Sequence, residues 1–171
     1  FGHDETIGFD FDPEAARSDL ETSDWDGSGA PVLLFRAGDD WRLFAENLQE
    51  QWRRELGIEV RIQTREQKVF FREIDGQGPP PAHLARWVAD FPDPENFMSL
   101  FKSNSGNNSL GFASERYDEL VQAAVRTDDA AERRRLYVEA QRILVEEEVA
   151  MIPIYVAAQN ALVNPELEGL A

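Results

Sequence analysis

Asp90, Asp93 and Glu95 fall within six residues of one another, beside Trp87, Phe91 and Phe97. Two carboxylates so placed could share acid and base roles in glycoside hydrolysis, with Asp90 and Asp93 as the pair. One carboxylate walled by aromatic rings could instead hold an ammonium group in a partly desolvated cleft. The chain carries 33 Asp and Glu, so two neighbouring acids say little by themselves. Other chemistries lack their parts. The only histidines are His3 and His83, and there is no Gly-x-Ser-x-Gly elbow for a serine nucleophile. The absence of cysteine excludes disulfides, thiolate metal sites and a cysteine nucleophile. No phosphate-cradling glycine loop and no zinc or EF-hand spacing is present, so neither a metal nor a cofactor is expected. These absences favour binding over catalysis.

Composition narrows the partners. The 171 residues carry a net charge of -16 with a pI near 4.4. Nucleic acid and anionic membrane surfaces call for a basic patch, so neither is an expected partner. Hydrophobic residues make up 42% and aromatic residues 11%, enough for a packed globular core. No apolar run approaches a membrane span. The first residues, Phe-Gly-His, show no signal-peptide pattern.

The acids need elements to hold them. His83 to Val88 reads as a buried strand, which Pro92 and Pro94 must terminate because neither can donate to a ladder. Asp93-Pro94-Glu95 reads as a helix start, with a helix running through Phe97, Leu100 and Phe101. Trp87 and Asp90 are thereby expected at the carboxyl end of a strand, where α/β folds bind ligands. A buried Trp beside a solvated turn Asp is the alternative.

Upstream, Asp12-Pro13-Glu14 opens a short helix, and Ser23 to Ala30 is turn-rich. Pro31 to Arg36 is a strand. Asp39 and Asp40 cap a helix whose Trp41, Phe44, Ala45, Leu48 and Trp52 form a core stripe ending at Gly57. Ile58 to Thr64 alternates as a half-buried strand, Glu66 to Ile74 is a helix, and Asp75 to Pro81 is a loop. Strand, helix, strand, helix, loop, strand defines a layered α/β domain. Downstream, Ser103 to Ser109 is a polar loop. Ser114 caps a helix carrying Tyr117, Leu120, Val121 and Ala124. Asp129 and Glu132 form a capping-box-like start to another, with Leu136, Ala140, Ile143 and Leu144 inward. Arg133 to Arg135 reads as a solvated, paired face. Ala150 to Ala157 reads as a buried strand and Asn160 to Val163 as a short one.

Trp87-Val-Ala-Asp90-Phe-Pro-Asp93-Pro-Glu-Asn-Phe97 resembles the Trp-x-Ala-Asp-Tyr-Pro-Asp-Pro-x-x-Phe signature of family 5 extracytoplasmic solute-binding proteins. The likeness continues through Asn107-Asn108, Tyr117-Asp-Glu-Leu120, Arg134-Arg-Leu-Tyr137, Ile143-Leu144, Ile152-Pro-Ile-Tyr155 and Leu162-Val163. Leu56-Gly-Ile-x-Val60 and Asp12-Pro13-x-x-Ala16 extend it upstream. It implies an α/β, periplasmic-binding-protein-like (type II) lobe with a mixed sheet flanked by helices. It implies a monomeric, non-enzymatic component of an ABC importer, working with a membrane permease in the periplasm or outside the cell, membrane-anchored at full length. Residues 1–159 would be the second of two lobes, with 160–171 returning toward the first. Asp90 would pair with the α-amino group of a bound peptide, Trp87 would line a side-chain pocket, and Arg86 would join them. Arg86 and Leu84 replace residues found in some oligopeptide binders, and Glu66-Gln67-Lys68 lacks a pocket tryptophan. Nickel chelates and oligosaccharides therefore stand beside peptides as ligands.

Overall fold

The computed structural model describes residue 4, residues 6–76 and residues 82–156, the side chain of Asp39 excepted. The order is α1 (Pro13–Thr22), β1 (Val32–Arg36), α2 (Asp39–Leu56), β2 (Arg61–Arg65), α3 (Gln67–Ile74) and β3 (Ala82–His83). There follow α4 (Glu95–Met98), a 3₁₀ turn (Ser99–Phe101), α5 (Glu115–Arg126), α6 (Ala130–Arg142) and a π turn (Ile143–Glu147). The fold is α/β, and the three described strands are parallel in the order β2-β1-β3.

β1 is the central strand, and its Leu33, Leu34 and Phe35 are all buried, as a strand covered on both faces requires. Its alternation splits the core. Leu33 and Phe35 pack with Ala45, Val60 and Leu84 under the α2 stripe of Trp41, Phe44, Leu48 and Trp52. Leu34 points the other way, onto Phe70 and Ile74 of α3. The chain steps from β1 to β2 in one direction and from β2 across β1 to β3 in the other. Right-handed crossovers must then lie on opposite faces, and that is where α2 and α3 lie.

Local signals set most boundaries. Asp12 accepts from the backbone N–H groups of Glu14 and Ala15, and Ser114 from that of Tyr117. Gly57 closes α2 in the left-handed conformation, φ 69°. Other expectations are corrected. The α2 cap is Gly38, at φ 151°, so Asp39 and Asp40 begin the helix instead of preceding it. A side chain at Gly38 would also crowd Trp41, whose Cδ1 lies 3.2 Å from the would-be Cβ. Asp129 caps α6 through Ala131 and Glu132, but the Glu132 side chain turns to Arg135, so no reciprocal box forms.

The second core is helical. Tyr117, Val121 and Ala124 of α5 meet Leu136, Tyr137 and Ala140 of α6, then Ile143, Leu144 and Val145, with Met98 beneath. The buried Tyr117 hydroxyl donates to the Met98 carbonyl at 2.6 Å. Burial pushes the Tyr117 hydroxyl well above the usual phenol range. Residues 150–156 form no ladder, contrary to the strand expected at Ala150 to Ala157. Pro153 has no N–H, and no described strand lies alongside. Met151 instead packs on the helical core, while the Tyr155 ring stacks on Phe44 at 5.1 Å. Ala157, the strand expected at Asn160 to Val163 and the returning segment 160–171 lie outside the described residues.

Candidate ligand-binding loop

β3 is shorter than its sequence suggests. The ladder with β1 pairs Leu33 with Ala82 and Leu34 with His83, and the Leu84 N–H still donates to the Leu34 carbonyl. Leu84 then dives into the α2 core, and the ladder stops. The buried strand expected through Val88 is therefore a loop, with Trp87 39% and Val88 60% exposed.

What replaces the ladder is Asn96, 6% exposed, in α4. Its Oδ1 accepts from the Trp87 indole Nε1 at 2.7 Å and from the Asp90 backbone N–H at 3.3 Å. One amide oxygen thus fixes the orientation of the indole and the placement of the aspartate. Sequence reasoning missed Asn96. Its position within the motif was the only signal, because an Asn early in a helix is ordinarily read as a local capping residue.

Asp90 and Asp93 are set apart by their partners. The Asp90 side chain is exposed and makes no hydrogen bond or ion pair among the described residues. Asp93 accepts from Arg133 through both oxygens, each at 2.8 Å, and its Oδ1 also accepts from the Glu95 N–H at 2.9 Å. Arg133 holds the Asp93 carboxyl below the usual carboxylate range. Asp93 is thus committed as a charged structural acceptor, which removes it as the proton donor of a hydrolytic pair. Arg133 reverses another expectation. Arg135 does pair on the surface with Glu132 and Glu139, but Arg133 is turned inward.

Arg86 is also exposed, but it faces a different feature. A depression of about 470 Å³ at the carboxyl edge of the sheet is lined by Arg36 at the end of β1, Gly38, Asp40 and Trp41 around the start of α2, Gln67 opening α3, and Arg86 after β3. The Arg36 guanidinium lies 4.9 Å from the Trp41 ring centre. Trp87 and Asp90 are not among its walls. The structure therefore brings Trp87 and Asp90 together around Asn96 and places Arg86 with Arg36 in the neighbouring hollow. A second hollow, of about 460 Å³, is walled by Glu119, Gln122, Ala123, Arg126 and Thr127, all at the end of α5. No residue of the loop contributes to it.

Among the described residues no cluster of His, Asp and Glu is arranged to hold a metal. No helix there is long and apolar enough to cross a membrane.

This parallel sheet, with its loops gathered at one edge, has the fold of the type II periplasmic binding proteins. Over 88% of the chain it superimposes, at a TM-score of 0.77 and 23% identity, on 31% of a periplasmic oligopeptide-binding protein from Borrelia burgdorferi. Residues 1–109 match the family model described as bacterial extracellular solute-binding proteins, family 5 Middle. The chain belongs to that family, one of solute-binding proteins and not of enzymes. It is 31% identical to the dipeptide-binding protein of Pseudomonas aeruginosa strain PAO1, over 96% of this chain and 32% of that one. It is 28% identical to the periplasmic oligopeptide-binding protein OppA of Salmonella typhimurium, over 80% of this chain and 25% of that one. The chain spans about a quarter to a third of the length of these curated relatives.

Proposed function

We propose that this chain is the second ligand-binding lobe of an ABC importer's solute receptor, and that the ligand is a peptide. In this reading the lobe spans residues 1–159. The full-length receptor is a monomer outside the cytoplasmic membrane, anchored to it, and delivers its ligand to a permease. Asp90 receives the α-amino group, and Trp87 walls the adjoining side-chain pocket. Arg86, with Arg36, offers guanidinium groups to the peptide's carbonyl or carboxylate oxygens.

The observation that carries this reading is the contrast between two neighbouring acids. Asp93 is saturated by Arg133, while the Asp90 carboxylate stands at a strand-end loop with no partner among the described residues. An acid left unneutralised beside an oriented indole suits a cationic ligand group.

The test is a double-mutant cycle in the full-length receptor, pairing Asp90→Asn with N-acetylation of the peptide. Once ligand and opposing lobe cover the loop, removing one partner of the charge pair should cost on the order of 2–5 kcal/mol. That corresponds to roughly thirtyfold to several thousandfold in affinity. Asp90→Asn should leave folding nearly unchanged and should no longer discriminate against the acetylated peptide. Losses that simply add would mean that Asp90 does not touch the amino terminus.

A further inference from the structure

We infer that Arg133, 43 positions beyond Asp90, is a positioning residue for the binding loop, holding it in its competent shape from the helical layer. The inference rests on the reading that this loop faces the ligand.

The geometry supplies a continuous path. Arg133 lies in the first turn of α6, four residues after its cap Asp129. Its Nε donates to the Ala124 carbonyl of α5 at 3.0 Å, and one terminal nitrogen reaches the Tyr137 hydroxyl at 3.2 Å. The guanidinium also lies 5.2 Å from the Tyr137 ring centre. Tyr137 is itself fully buried in the helical core. The guanidinium plane is therefore fixed by the α5–α6 pair before it meets the loop. From that anchor it grips both Asp93 oxygens.

Asp93 passes the constraint on. Its Oδ1 accepts from the Glu95 N–H and its backbone carbonyl from the Asn96 N–H at 3.1 Å, so the carboxylate and the start of α4 move as one. Asn96 then holds Trp87 and Asp90. Without the clamp, the 84–94 loop has few ties of its own. Beyond Leu84 no ladder restrains it, and Val88 and Phe91 are exposed. A loop that samples other shapes binds more weakly in proportion to the fraction of time it is competent. Lysine could not replace Arg133, because one ammonium cannot span two carboxylate oxygens, a carbonyl and a ring in a fixed plane.

The experiment uses Arg133→Gln and Asp93→Asn in the full-length receptor. Ile143→Val, an apolar change in the helical core that leaves every hydrogen bond of the clamp in place, serves as a control of comparable stability loss. Three readouts are followed: thermal midpoint, the Trp87 indole N–H resonance (assigned with Trp87→Phe), and affinity for an unmodified peptide. Both clamp variants should shift the indole resonance and speed its hydrogen exchange. Both should weaken binding by about fivefold to tenfold, the consequence of a comparable fall in the competent fraction. Ile143→Val should lower the midpoint and leave the other two readouts in place. Asp93→Asn keeps the acceptor for Glu95, so it remains informative if Arg133→Gln fails to fold. An unmoved Trp87 resonance in a folded clamp variant overturns the positioning role. A moved resonance with unchanged affinity upholds the positioning and instead overturns the assignment of the loop to ligand binding.

Discussion

The helical layer and the strand-edge loop use their aromatic residues in opposite ways. Tyr117 and Tyr137 are fully buried, and each hydroxyl has a hydrogen-bond partner, the Met98 carbonyl and the Arg133 guanidinium respectively. Trp87 and Phe91 stand at 39% and 46% exposure, and the indole is tethered at one atom. The first arrangement maximises burial and gives one packed state. The second leaves apolar area in water, at a cost that a binding surface recovers when ligand covers it. On the proposed reading of the loop, stability and recognition are built in separate parts of the chain and joined where Arg133 meets Asp93.

That division can be broken most sharply in the helical core. Leu144, 1% exposed, should cost about 2–5 kcal/mol when truncated to alanine, through lost burial and a residual cavity. Urea unfolding should show the loss while Trp87 emission in the native state stays where it was. A native-state shift of Trp87 would mean that the two regions do not separate.

Asn96→Ala should do the reverse. It removes the acceptor for the indole N–H and for the Asp90 N–H. The expected stability cost is about 1 kcal/mol, the low end for a stranded donor because water reaches a half-exposed indole. Trp87 emission should move to longer wavelength with the fold intact. Unchanged emission would mean that packing alone orients the ring.

The smallest effect lies in the pH profile of stability. The Arg133 guanidinium lowers the Asp93 carboxyl below its ordinary value in the folded state. The folded form therefore binds this proton less readily than the unfolded chain. The stabilisation is complete above the ordinary carboxylate pKa and is lost as pH falls through the lowered one. For a pair about a quarter exposed this is on the order of 1 kcal/mol. Wild type and Asp93→Asn should differ in stability at neutral pH and converge in strong acid. A constant difference down to the lowest pH would remove the ion pair as the cause.

Much of this protein follows from short-range rules. The cap at Asp12, the left-handed stop at Gly57, the stripe from Trp41 to Trp52 and the buried run in β1 each depend on neighbours within a turn or two. The α/β class and the order of its described elements were legible for that reason. So was the motif from Trp87 to Phe97, since residue identity is all a motif requires. Its geometry was not. Whether β3 continues past Leu84 depends on whether Leu84 finds a partner in the ladder or in the α2 core. Asn96 becomes an organiser only when α4 carries it under the loop. The fates of the two acids are settled from 40 residues away, where α6 brings Arg133 to Asp93 and leaves Asp90 without a partner among the described residues. Side-chain spacing records periodicity along one element, but a contact between elements depends on how they pack, and only the tertiary structure fixes that.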